Sequence, residues 1–276
     1  IPIIRTLKEG LIANKIKKIY GILNGTSNYI LSNMDKMHMD FGKVLKQAQK
    51  LGYAERNPNS DLNGEDVKSK IQILSSLAFN CFISNKKVNL EGINLIDDID
   101  IKNANSLGYK IKHLGLSEID NGKLIQRVHP CLIKKDSRLS NVNGVLNSVI
   151  IESEPVGKSV LQGEGAGPGP TTSALVSDIC SVLRGNIKFP FSVSSKKRKK
   201  ILSTDLSNKS FSSYIRLDVI DKKGVLSSIT KIMSKNKISV KRLIQNPFKS
   251  KKYATIILIS HKAKNKNLVR CLKHLS

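Results

Sequence analysis

The apolar residues change period near residue 111, and that change limits the fold class more than any single motif. Up to residue 79 they recur every three or four positions. Ile30, Leu31 and Met34 follow Thr26-Ser27, a helix start entered from Asn24-Gly25. Val44, Leu45, Ala48 and Leu51 follow Asp40 and stop at Gly52. A polar loop, Ala54 to Gly64, contains Pro58 and precedes a long helix with Val67, Ile71, Leu74, Leu77 and Ala78 on one face. From residue 111 the spacing becomes strand-like. Ile111–Ile119 and Lys123–Ile133 flank Asn121-Gly122, a two-residue hairpin turn, and Leu146–Ser153 reads as a further strand. A glycine-rich loop, Gly163 to Gly169, leads into Pro170-Thr171-Thr172 and a helix through Ala174, Val176, Ile179, Val182 and Leu183. Helices first and antiparallel strands afterwards predict an α+β domain. Past a Ser- and Lys-rich stretch, Tyr214–Ile220, Val225–Met233, Ile238–Ile244, Tyr253–Ser260 and Asn265–Leu275 read as strand, helix, strand, strand and helix. The expected domains are 1–187, a basic linker 188–213, and an incomplete βαββα unit 214–276.

The formal net charge is +26, and residues 214–276 contribute +14 of it. Such a surplus invites a nucleic-acid partner, most of all at Lys196-Lys197-Arg198-Lys199-Lys200. Aromatics make up only 5% and none interleaves that run, so a stacking platform for bases is missing. The charge is read as a solvated lysine surface. Four scattered cysteines form no CxxC pair, and five histidines form no HExxH, so no metal site is expected and a reducing cytoplasm is. No apolar stretch approaches the length of a bilayer span, so no membrane is expected.

The residues richest in chemistry run from Gly52-Tyr53-Ala54-Glu55 through Pro58, Asp61-Leu62-Asn63-Gly64-Glu65-Asp66 to Lys70. Glu55 and Asp61 are expected in a loop, with Asp66 and Lys70 one helical turn apart on one face. Spacing alone is met by a capped helix start and an i,i+4 ion pair of about 0.3–0.5 kcal/mol. The other reading is a pocket whose carboxylates hold an ammonium-bearing substrate while a lysine moves a proton.

This segment resembles the signature of homoserine dehydrogenases. Further stretches resemble that family in the same order: Ile1-Pro2-Ile3-Ile4, Gly21 to Ile30, Leu107-Gly108-Tyr109 with Ile111-Lys112, Val142-x-Gly144-Val145, and Gly163 to Thr171. The resemblance covers about residues 1–187 and implies an α+β catalytic domain with a mixed sheet and flanking helices. It implies NAD(P)-dependent interconversion of L-aspartate 4-semialdehyde and L-homoserine in threonine and methionine biosynthesis. It implies that Lys70 donates the proton, that Glu55, Asp66 and Asp61 bind the amino acid, and that Gly25 and Thr26 line the pocket. Gly167 would approach the cofactor, NADP or NAD, although its loop lacks the GxGxxG spacing.

Leu217 to Ile229, with Asp221 and Gly224, resembles an ACT domain, a regulatory module that in this setting often senses threonine. Full-length members commonly assemble as homodimers or homotetramers. The family's Rossmann domain with its fingerprint, its lysine beside the nicotinamide and a loop for a monovalent metal ion all precede the position of Ile1. The chain is therefore expected to be a fragment, inactive alone. The rival expectation is a non-enzymatic module, sensing amino acids or binding nucleic acid through its basic run.

Overall fold

A computed structural model describes residues 1–83, 88–186, 190–247 and 252–275. These fall into two compact units, Ile1–Thr204 and Asp205–Ser276. Residues 188 and 189, the start of the expected linker, lie outside the described residues.

The first unit opens with a helical turn, α1 (Ile3–Arg5), which passes into a π-turn, Thr6–Gly10. Then follow β1 (Lys15–Ile22), α2 (Gly25–Met37), α3 (Phe41–Lys50), α4 (Asn59–Leu62), α5 (Glu65–Phe79), β2 (Asn89–Leu90) and α6 (Asp98–Ser106). After these come β3 (Tyr109–Asp120), β4 (Lys123–Lys134), β5 (Leu146–Glu154), β6 (Gly157–Glu164) and α7 (Pro168–Leu183). The strands form one six-stranded sheet in the order β2-β4-β3-β1-β5-β6. Among the described residues only β2 and β4 of this sheet run parallel, so it is mixed, as the family resemblance implies. The β3–β4 hairpin turns at Asn121-Gly122, both at positive φ (49° and 73°), the conformation in which this dipeptide matches strand twist.

Helix α5 lies on the sheet. Its Val67, Ile71, Leu74 and Leu77 are buried against Ile19 and Leu23 of the β1 segment, Leu124 and Val128 of β4, and Val149 and Ile151 of β5. Each such side chain contributes about 1.5–3 kcal/mol on burial. Contact is close because β3 carries Gly115, where a Cβ would stand 2.9 Å from both Leu23 and Val67. A second core joins α2, α3 and α6 through Ile30, Leu31, Met34, Val44, Ala48, Ile101 and Ala104.

Several sequence expectations need correction. Helix α2 begins at Gly25 with Asn24 as its cap, so Thr26 and Ser27 lie in its first turn. The stretch Ala54–Gly64 is not all loop, since Asp61 sits on the single turn α4. Gly163 and Glu164 finish β6, and α7 begins at Pro168, so the glycine loop shrinks to Gly165–Gly167. Prolines are admitted in that first turn because its N–H groups have no helical partner.

Most of the basic stretch is no free tether. Lys199 bridges Cys81 and Ser203 bridges Leu124, both in parallel register. Arg198 stacks between Phe82 (4.8 Å) and Phe191 (4.3 Å) and donates to the Cys81 carbonyl (2.8 Å) and to Ser76 Oγ. Stacking on rings is what a guanidinium does better than an ammonium. The one arginine of the basic run is thus committed to the fold, which removes it from phosphate binding.

The second unit follows the expected order. β7 (Ser210–Phe211) pairs with β11 (Ala263–Lys264) beside β8 (Tyr214–Ile220), α8 (Val225–Lys235), β9 (Val240–Pro247), β10 (Tyr253–Ser260) and α9 (Asn265–Leu275). The main sheet, β8-β10-β9, is antiparallel. Ile215, Ile256 and Leu258 meet Ile229 and Met233 of α8 and Cys271 of α9 in one core, a βαββα arrangement.

Thiol chemistry gives a direct check. Burial pushes the Cys131 thiol up to about 12 and also raises Cys81 and Cys271, whereas Cys180 is exposed on α7. Thiolates, not thiols, react. A disulfide reagent at pH 8 is expected to label Cys180 rapidly in the native chain and all four cysteines in urea. A second native thiol reacting at the same rate would contradict this packing.

Candidate active site

Strand β1 leads through Leu23 into Asn24, and α5 starts beside it. Gly64 caps α5 at φ 88°, and a Cβ there would meet Leu90, His113 and Val128 at 2.9–3.2 Å, so only glycine fits. Asp66 stands in the first turn of α5 and Lys70 one turn later. Lys70 Nζ lies 2.7 Å from Asp66 Oδ2 and donates to the Leu23 carbonyl at 3.1 Å. The N-termini of α2 and α5 thus meet at the end of β1, and their positive dipole ends favour negative charge there.

Asn24 joins the parts. Its Oδ1 accepts from the Ser27 N–H at 2.7 Å, which caps α2. Its Nδ2 donates to Asp61 Oδ1 at 2.7 Å and to Asp66 Oδ2 at 2.8 Å. The two amide hydrogens are thereby shared between two carboxylates, and the residue is only 5% exposed. Sequence reading passed over Asn24 because a capping asparagine is ordinary. Its signal was the short link from a strand end to a helix start, visible only once β1 is known.

Of the residues expected at the site, Asp61, Asp66 and Lys70 come together around Asn24. Gly25 is the first residue of α2, where a Cβ would stand 2.9 Å from the Val145 carbonyl. Thr26 Oγ1 donates to the Tyr53 carbonyl at 2.7 Å, and the Tyr53 and Tyr29 rings lie 5.0 Å apart. These contacts tie the segment carrying Glu55 to α2. The Glu55 carboxylate itself is exposed and has no hydrogen-bond or ion-pair partner among the described residues. Gly167 caps α7 at φ 102°, and no contact among the described residues joins it to the Asn24 cluster. Asp221 and Gly224 belong to the second unit. There Gly224 caps α8 at φ 90°, and the Asp221 N–H donates to the Lys252 carbonyl. A groove of about 450 Å³ beside them is lined by Lys222, Lys223, Ser228 and His274, with an apolar floor including Val225 and Ile229. Among the described residues no group of three or more His, Cys, Asp or Glu side chains is arranged to hold a metal. His113 is buried with Nε2 2.9 Å from the Glu91 carbonyl, and burial lowers its pKa, as for a structural histidine.

The network predicts its own weak point. Asn24→Ala removes a cap worth about 1 kcal/mol and strips two carboxylates of a shared donor, a total loss of about 2–3 kcal/mol. Asn24→Asp keeps the cap acceptor but sets three carboxylates together. Its destabilisation is expected to be larger at pH 7 than at pH 4, where protonation relieves the repulsion. Urea unfolding followed on first-unit amides checks both. An Asn24→Asp variant equally stable at both pH values relative to the parent would contradict the geometry.

With this geometry in view, known proteins supply the family. A model of the family described as homoserine dehydrogenase matches residues 2–180. A homoserine dehydrogenase from Neisseria gonorrhoeae is 40% identical over 276 residues, which is 97% of this chain and 63% of that protein. The crystal structure of a homoserine dehydrogenase from Thiobacillus denitrificans superposes with a TM-score of 0.90 at 36% identity, covering all of this chain and 64% of that one. A hyperthermophilic archaeal homoserine dehydrogenase mutant, solved in complex with NADPH, is 25% identical with a TM-score of 0.54, covering 67% of this chain and 52% of that one. The chain therefore spans somewhat less than two thirds of the length of the Neisseria and Thiobacillus relatives, and the span matched by the family model includes every member of the Asn24 cluster. On this evidence the chain belongs to the homoserine dehydrogenase family.

Proposed function

We propose that the chain forms the substrate-binding part of an NAD(P)-dependent homoserine dehydrogenase, which interconverts L-homoserine and L-aspartate 4-semialdehyde on the route to threonine and methionine. The observation that carries this reading is the Lys70 ammonium, held between Asp66 and the Leu23 carbonyl where two helices begin. An aldehyde oxygen gains negative charge as it is reduced, and a positioned ammonium both stabilises that charge and delivers the proton. Two of the three Lys70 hydrogens are used by the protein, which leaves one for a substrate oxygen. Asp61, Asp66 and Glu55 then face the substrate's own ammonium, and Gly25 and Thr26 line the pocket.

When bound, a nicotinamide nucleotide supplies or accepts the hydride. Nothing lies within 4 Å of the place a Cβ would take on Gly167, so backbone approach by a large group is unhindered there. Helix α7 carries Leu175, Val176, Ile179, Val182 and Leu183, each at least half exposed, an apolar face fit to meet a nucleotide-binding domain. NADPH in the archaeal relative supports the same cofactor class. Among the described residues no helix is long and apolar enough to cross a membrane. We further assign a homodimeric or homotetrameric, cytoplasmic full-length enzyme. In it the second unit acts as an ACT domain and takes threonine near Asp221 and Gly224.

These readings are tested in a chimera joining the chain to the part of the Neisseria relative that it does not span. Lys70→Ala is expected to lower kcat by about 10²-fold or more. Its stability should fall by about 1 kcal/mol or less, because the ion pair is half exposed. Glu55→Gln is expected mainly to raise the KM for homoserine. Near-normal turnover in Lys70→Ala would refute the proton-donor role. Threonine is expected to inhibit the chimera, and Asp221→Ala to weaken inhibition without changing kcat. No response of the parent chimera to threonine would make the second unit structural.

A further inference from the structure

Three stretches that resemble the family meet away from the reacting groups, and they meet at a buried lysine. Lys112, on β3, is 2% exposed. Its Nζ donates to the Val142 carbonyl at 2.6 Å and lies within hydrogen-bond distance of Asn143 Oδ1 (3.1 Å), Asn28 Oδ1 (3.2 Å) and Ser32 Oγ (3.3 Å). No carboxylate among the described residues touches it. The charges facing it are Lys110 on its own strand and Asp35 on α2, which lie 3.6 Å from each other. Asn28, one turn into α2, reinforces the same grip, because its Nδ2 reaches the carbonyls of Val142, Gly144 and Leu146 at 3.0–3.1 Å. Two side chains from α2 and β3 therefore hold residues 142–146 by their backbone. In the same segment the Val145 carbonyl stands where a Cβ on Gly25, the first residue of α2, would meet it at 2.9 Å. Gly25 adjoins Asn24, which donates to Asp61 and Asp66, and Asp66 in turn pairs with Lys70.

We propose that Lys112 is a positioning residue of the proposed homoserine site: its buried ammonium clamps residues 142–146 against α2 and so fixes the Gly25–Thr26 backbone that lines the pocket. A buried cation is a poor choice for stability alone, since an apolar side chain of similar length would avoid its desolvation. What the ammonium provides instead is several directed donors at one point, enough to hold a loop by its backbone carbonyl and side-chain oxygens. Burial lowers its pKa to about 8, with Lys110 adding to the shift and Asp35 opposing it. The clamp is therefore charged at pH 7 and weakens in alkali.

The proposal rests on the functional reading above, and two readouts separate them. In the chimera, Lys112→Met is expected to raise the KM for homoserine about tenfold with kcat within twofold of the parent. Asn143→Leu removes one acceptor on an exposed loop without disturbing the core, and is expected to raise KM about threefold. Asn143→Asp, which keeps an acceptor for the ammonium, should restore the parent value. In the isolated, isotope-labelled chain, Asn143→Leu is expected to move the Gly25 and Thr26 amide resonances, and Asn143→Asp to return them. Should the parent chimera fail to turn over homoserine, the functional reading falls while the amide shifts still judge the clamp. Unmoved Gly25 and Thr26 resonances in Asn143→Leu, or an unchanged KM in both Lys112→Met and Asn143→Leu, would overturn the proposal. Should Lys112→Met not fold, the Asn143 pair decides.

Discussion

One asparagine carboxamide holds the candidate site together. Asn24 spends its oxygen on capping α2 and its two hydrogens on Asp61 and Asp66, so one side chain fixes a helix start and the spacing of two carboxylates. Without that donor, two acidic groups would stand close together at the sheet's end, with Lys70 paired to Asp66 alone among the described contacts. Replacing one like-charge contact by two charge-assisted hydrogen bonds changes the local balance by more than the exposed Asp66–Lys70 pair contributes. The ion pair is therefore the visible sign of the arrangement rather than its cause.

The surrounding fold serves that position. Gly115 lets α5 lie close on the sheet, Gly64 lets it begin where it does, and the buried residues of α5 keep it there. The Arg198 stack between Phe82 and Phe191 closes the far end of α5, where Ser76 accepts from the same guanidinium. Rigid elements thus carry the candidate site groups Asp61, Asp66 and Lys70 at one end. The exposed apolar side of α7 is the surface left over, and its exposure is what a domain built to meet another would present.

Much of this was legible in the chain, and the gaps have physical causes. Helices α3 and α5, the Asn121-Gly122 hairpin and the βαββα order of the second unit follow from periodicity, because each buries one face against a single neighbour. Strand β1, the central scaffold of the site, was missed. Its pairing with β5 shifts register between Ile16 and Lys18, so Lys17 is an extra residue and the alternation of Ile16 with Ile19 breaks. The edge strand β6 carries no assignment from sequence over residues 157–162, and its last two residues, Gly163 and Glu164, read as the start of a glycine loop. Helix α6 was overlooked too, although Asp97 and Asp100 form a capping box at its start. For the candidate site, the motif singles out Asp61, Asp66 and Lys70, which the fold brings together. Asn24 and Lys112 were not given roles, since a cap and a strand lysine carry no local sign of what they touch across the fold.

The most direct test is a crystal structure of the chain soaked with L-homoserine. The account predicts the substrate hydroxyl within hydrogen-bond distance of Lys70 Nζ. It also predicts the substrate ammonium among Asp61, Asp66 and Glu55, with the Asn24 carboxamide still bridging both aspartates. Homoserine bound with its hydroxyl turned away from Lys70, or an Asn24 side chain free of Asp61 and Asp66 in that structure, would contradict it.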